Sequence, residues 1–178
     1  TQRRTSRREL VETEGVAHLA GLDLGGLCEH VALEDDVEVG SSIQHHLDAG
    51  FKSVVTFGVV DIDLPDGLPA DVHRVDFDAT VRDAQVTVVN AVIENVPGQW
   101  VYYCYNTEYI FFPFCEHRAI GEMLAYHTEE RRDAVLTYVV DLYAGDLHES
   151  PTAVSLDDAY MDKSGYYALA RKDAQNEF

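Results

Sequence analysis

The chain has 178 residues and a formal charge of −19, with 46% hydrophobic and 25% charged content, which supports a packed core without disulfide staples and excludes a disordered body. Four of its 13 bases (Arg3, Arg4, Arg7 and Arg8) fall in the first eight residues, which hold no acid, so the rest of the chain sets nine bases against 32 acids. A nucleic-acid-binding body is excluded, because neutralising phosphates needs a basic face.

Residues 1–9 read as a solvated basic arm that docks on a protein partner, and 10–178 as a single α/β domain. No apolar run follows the arm as in a secretory signal, and no stretch approaches a membrane span. Three cysteines (Cys28, Cys104 and Cys115) are too few for a disulfide framework and fit a reducing cytoplasm. Leu10 to Gly26 reads as a helix and turn. HVAL (30–33) is a short strand stopped by Glu34-Asp35-Asp36, and Ile43, His46 and Leu47 mark a helix ending at Gly50. KSVVTFGVV (52–60) is a β-branched run of buried-strand type, followed by an Asp/Pro/Gly loop to Pro69 and a second strand over 70–77.

Val81, Ala84, Val88, Ala91, Val92 and Asn95 form a helical stripe stopped by Pro97-Gly98. WVYYCY (100–105) is the most strand-like hexamer, and IFFPF continues apolar to Pro113. Residues 117–134 predict a helix with Ile120, Met123, Leu124, Tyr126 and His127 inward, and VLTYVVDLY (135–143) predicts a strand. A last strand is expected over 165–171. Strands alternating with helices give a mainly parallel sheet flanked by helices. Ligands of such sheets bind beyond the carboxyl ends of the strands, which directs the search to 34–36, 58–63, 105–108 and 141–146.

Glu34-Asp35-Asp36 suits the N–H and O–H donors of a nucleotide, although on residue type alone it reads first as a solvated acidic turn. Asp61 and Asp63 offer oxygen ligands to a divalent cation, or belong to the turn around Pro65-Asp66-Gly67. His45-His46, Cys104, Cys115 and His117 lack the spacing of a zinc site, and buried thiols acting as small hydrophobes account for the cysteines. No GxGxxG, P-loop or GxSxG occurs, which removes the main support for dinucleotide, Walker-type and hydrolase chemistry. In QWVYYCYNTEYIFFPFCEHR (99–118), Glu108 stands among four tyrosines, as a sugar-stacking crevice or as the exit turn of an aromatic core strand.

The order Trp100, apolar strand, acidic motif, aromatic run, Pro113, helix and VLTYVVDLYAGD resembles the family-two-type bacterial glycosyltransferases of the GT-A fold. HVALEDD and IQHHLDAGFKSVVTF look like that family's first strand, nucleotide-contacting turn, first helix and second strand. The likeness covers roughly 30–172, with a GT-A-like core over about 30–146 and a loop-rich part over 147–178. It implies a nucleotide-diphosphate sugar as donor and a glycan or other hydroxyl as acceptor. Asp35, Asp36, Asp61, Asp63 and Asn106 would contact the donor, and Glu108 and Asp141 would be catalytic. The family's Asp-x-Asp-Glu metal motif falls on Tyr105-Asn106-Thr107-Glu108, where only Glu108 matches as a ligand for Mn or Mg. His117, Arg118 and His127 are the cations nearest in sequence to offset a leaving diphosphate. The chain stops at Phe178, short of the family's acceptor region, as a truncated form or a retired scaffold would. The alternative is a non-catalytic acidic interaction subunit docking through its arginine arm.

Overall fold

The computed structural model describes residues 28–161 except 60, 79 and 80. The basic arm, the helix expected over 10–26 and the strand expected over 165–171 lie outside the described residues. The chain divides into two compact units, the first ending at Arg132 and the second starting at Asp133.

The first unit is built on a four-stranded parallel sheet. Its strands are β1 (Cys28–Ala32), β2 (Ser53–Gly58), β3 (Val72–Asp76) and β4 (Val101–Tyr105), in the order β3-β2-β1-β4. Register is set by Ala32 opposite both Phe57 and Tyr105, and by Phe57 opposite Val75. Helix α1 (Val39–Ala49) joins β1 to β2, and α2 (Ala84–Asn95) joins β3 to β4. The α/β class and parallel sheet expected from the alternating pattern are therefore present.

The unbroken apolar run of β2 has a simple cause. All six of its residues are buried, because successive side chains enter different cores. Val54 packs with Val31, Leu33, Val39, Ile43, Ile62 and Cys104 beneath α1. Val55 and Phe57 join Val75, Phe77, Ala84, Val88, Ala91 and Val92 beneath α2. Helix α1 stops where Gly50 turns left-handed at φ 103°, a conformation that suits a residue without Cβ, and its N–H closes the last turn.

Helix α3 (Ile120–Glu129) is shorter than the span expected over 117–134. Only Ile120 is buried, packing with Phe51, Ile110 and Phe112, while Tyr126 is exposed instead of facing inward. Arg131 adopts a left-handed φ of 58° just beyond the helix and turns the chain away.

The second unit corrects one expectation. Residues 135–142 lie outside helix and strand, and only Tyr143–Ala144 (β5) pair, antiparallel with Ala159–Tyr160 (β6). β-branched and aromatic residues favour strands only where a neighbouring strand supplies packing and hydrogen bonds, and none of the described residues does so here. Among the described residues, no helix is long and apolar enough to cross a membrane.

A Cβ added at Gly58 would stand 2.9 Å from Leu33 Cβ, in the core beside Glu34. Gly58→Ala is expected to cost about 1–3 kcal/mol through overpacking, read as a lower urea midpoint at unchanged slope.

Candidate functional site

In the order β3-β2-β1-β4, the chain winds outward from β1 to β3 and then returns to the other side of β1. The switch point is therefore the gap between the carboxyl ends of β1 and β4, where open α/β sheets place their ligands. Two of the singled-out segments meet there, Glu34-Asp35-Asp36 after β1 and Asn106-Thr107-Glu108 after β4.

Asn106 clasps the two loops together. It is only 5% exposed. Its Oδ1 accepts from the Glu34 N–H at 3.1 Å, and its Nδ2 donates to Asp35 Oδ1 at 2.6 Å and to the Val37 carbonyl at 3.0 Å. Asp35 Oδ1 also accepts from the Val37 N–H at 3.0 Å. The acidic turn is thus held in one shape while Glu34, Asp35 and Asp36 stay exposed. Among the described residues, Asp36 makes no hydrogen bond or ion pair.

The exit turn of β4 closes on itself. Glu108 Oε2 accepts from the Tyr105 N–H at 2.9 Å, and the Glu108 N–H donates back to the Tyr105 carbonyl at 3.3 Å. Thr107 sits at φ 68° between them, a costly conformation for a β-branched residue.

The first turns of α1 hold the chain that follows. Ser41 Oγ donates to Glu38 Oε2 at 2.5 Å and lies 2.9 Å from the Tyr109 hydroxyl. Ser42 Oγ donates to the Glu108 carbonyl at 3.4 Å, and His45 Nε2 donates to the Ile110 carbonyl at 2.8 Å. His45 also stands edge-on to Tyr109 and against Phe111. Its neighbour His46 points into the core, where Nδ1 donates to the Ser42 carbonyl at 2.8 Å among Phe51 and Tyr102.

Both tyrosines of this edge are held as neutral phenols. Tyr105 is pushed above its ordinary value by burial first, then by the Glu34 and Glu108 carboxylates. Burial likewise raises Tyr109, with Glu38 adding and the Ser41 hydrogen bond opposing.

Asp61 and Asp63 occupy the loop after β2, exposed on either side of buried Ile62. Arg74 of β3 braces that loop, donating from Nη2 to the Val59 carbonyl at 2.7 Å, from Nη1 to the Ile62 carbonyl, and from Nε to Asp76 at 3.1 Å. Asp141 belongs to the second unit, in the segment outside helix and strand. His117 and Arg118 are exposed, and Arg118 sits 3.8 Å from Glu122 and over the Phe114 ring. Among the described residues, no group of three or more His, Cys, Asp or Glu is placed to hold a metal ion.

The clasp, the Arg74 brace and the Ser41–Tyr109 contact did not emerge from the sequence. Each joins residues on different elements, so no local spacing encodes it. Comparison with protein families, with curated proteins and with solved structures finds no match to this chain.

Two consequences can be measured. Asn106→Asp replaces the amide donor with an acceptor 2.6 Å from Asp35 Oδ1, and is expected to cost about 2–3 kcal/mol at pH 7. Urea titration at pH 7 checks this. On the alkaline side, the raised Tyr105 and Tyr109 favour the protonated phenol in the folded state. Their contribution is complete below the unfolded tyrosine value of about 10 and is lost as pH rises through the higher folded value. Stability should therefore fall from about pH 10 upward, less steeply in a Tyr105→Phe/Tyr109→Phe variant.

Proposed function

We propose that this chain is a glycosyltransferase-like domain of the GT-A kind, binding a nucleotide-diphosphate sugar at the carboxyl edge of its sheet and transferring the sugar to an acceptor hydroxyl. The observation that carries this reading is the convergence at the switch point of the acidic turn after β1 and the Asn106–Glu108 turn after β4. Carboxylates there accept from the N–H groups of a base and the hydroxyls of ribose and sugar. Asp36 is the exposed acceptor for that task, with Asp61 and Asp63 as further acceptors beyond β2. Asn106 serves by holding Asp35 in place, since both ends of its amide are engaged.

In the transfer step, the acceptor oxygen bonds to the anomeric carbon as the bond from that carbon to the diphosphate oxygen breaks. The diphosphate leaves with the electron pair, and a carboxylate takes the acceptor proton. Glu108 fills that role at the crevice, and Asp141 is the second carboxylate implied by the resemblance. The 105–108 turn offers one carboxylate, Glu108, so Mn or Mg held there would need water and the donor's phosphate oxygens to complete its shell. A cytoplasmic setting accords with this reading.

Thermal shift against UDP, GDP and TDP, each with and without Mn²⁺, tests it. A ligand at 100 times its Kd adds about 2.7 kcal/mol, a rise of several degrees in Tm. Asp36→Asn is expected to remove the shift while leaving the Tm of the unliganded protein unchanged. A flat response to every nucleotide would overturn the reading in favour of an acidic interaction subunit docking through residues 1–9.

A further inference from the structure

Past the exit turn of β4, two core anchors hold a third side chain in solvent. Ile110 and Phe112 are buried and pack with Phe51 and Ile120, while Phe111 between them is 75% exposed. Helix α1 supplies the backing of that ring. His45 donates to the Ile110 carbonyl at 2.8 Å, and its ring centre stands 5.5 Å from that of Phe111 and 5.3 Å from that of Tyr109. The Tyr109 hydroxyl is tied in turn to Ser41. Ser41, Gln44, His45 and Asp48 lie on one face of α1 at helical spacing. Gln44 and Asp48 are exposed there, with Gln44 Nε2 donating to Asp48 Oδ1 at 2.8 Å.

Scattered exposed apolar residues are ordinary. Phe111 differs in being fixed from both sides, backed by a second ring and set beside a row of polar side chains. The face of its ring carries the negative part of an aromatic quadrupole and suits C–H groups. The carboxylate of Asp48 and the amide oxygen of Gln44 suit hydroxyl donors. A pyranose ring combines the two, with C–H groups on its face and hydroxyls at its rim. A nucleotide would instead bring phosphate toward Glu38 and Asp48 on a chain of charge −19, a repulsion that a neutral saccharide escapes. We propose, resting on the transferase reading above, that the acceptor is a neutral saccharide and that one of its rings stacks on Phe111. That residue stands three positions beyond Glu108, at most about 11 Å along the chain. A short oligosaccharide covers this span, which brings a terminal hydroxyl within reach of the carboxylate that takes its proton.

Saturation-transfer NMR with maltotriose, cellotriose and chitotriose, in the absence of nucleotide, tests the platform. The expected result is transfer to at least one of these trisaccharides, strongest at the C–H protons of one ring face. Phe111→Ala should weaken that binding about tenfold, and Phe111→Trp, which keeps a flat aromatic face, should preserve it. Both variants should keep the Tm of the parent chain, because the ring is largely in solvent. No transfer to any trisaccharide, transfer unchanged in Phe111→Ala, or a UDP signal that Phe111→Ala removes would overturn the proposal. The nucleotide thermal shifts are read separately. Shifts without saccharide transfer overturn this proposal and leave the donor reading standing. Transfer that depends on Phe111, with no nucleotide shift, overturns the donor reading and leaves a saccharide-binding surface.

Discussion

The carboxyl edge of this sheet depends on one buried amide. Asn106 lies where two parallel strands part company, and its three hydrogen bonds to the β1 loop hold the edge in shape. A primary amide offers an acceptor oxygen and two donor hydrogens on one short side chain, enough for all three of these bonds. The Glu34 N–H needs the acceptor, and Asp35 with the Val37 carbonyl needs the donor. A carboxylate at this position would confront Asp35 instead. With Glu34, Asp35, Asp36, Glu38 and Glu108 already on the two loops, position 106 is filled by the neutral residue that can bind them together.

Strain lies on both sides of the clasp. Glu38 begins α1 at φ 50°, and Thr107 turns the end of β4 at φ 68°. Neither is glycine, and each such residue costs of order 1–3 kcal/mol unless its surroundings over-determine it. Here they do. The Glu38 carbonyl accepts from the Ser42 N–H and its carboxylate from Ser41, while Thr107 is spanned by the two bonds between Tyr105 and Glu108. Strained, bonded loops on both sides of a switch point are expected where a fold presents side chains to a ligand.

The elements of the first unit were legible because their signals are local. Gly50 ends α1 as its position suggested, and the unbroken β2 run announced a strand buried on both faces. The acidic turn and the Asn106–Glu108 segment were legible as candidates, but their meeting was not, since it follows from β4 returning beside β1 and not beside β3. The strand expected over 135–143 marks the opposite limit. Its composition is correct for a strand, yet a strand is a property of two segments, and a single segment does not reveal its partner. Tyr126 teaches the same at smaller scale, for it lies on the stripe shared by Met123 and Leu124 but beyond the reach of what α3 packs on.

Charge decides which part of the proposed donor this edge would suit. Arg74 is committed to the Val59 and Ile62 carbonyls and to Asp76. Arg118 rests beside Glu122 and over Phe114, and Arg132 lies over Tyr126 with Nη1 at 3.1 Å from His127. What faces the switch point is instead a set of acceptors, with two phenols held protonated beside them. Such a surface attracts donor-rich, uncharged groups and repels phosphate. A nucleotide sugar bound here would lie with its base, ribose and sugar hydroxyls on the acidic loops and its diphosphate turned toward solvent. Recognition would then rest on hydrogen bonds to hydroxyls and ring N–H groups, with charge neutralisation left to ions that travel with the ligand.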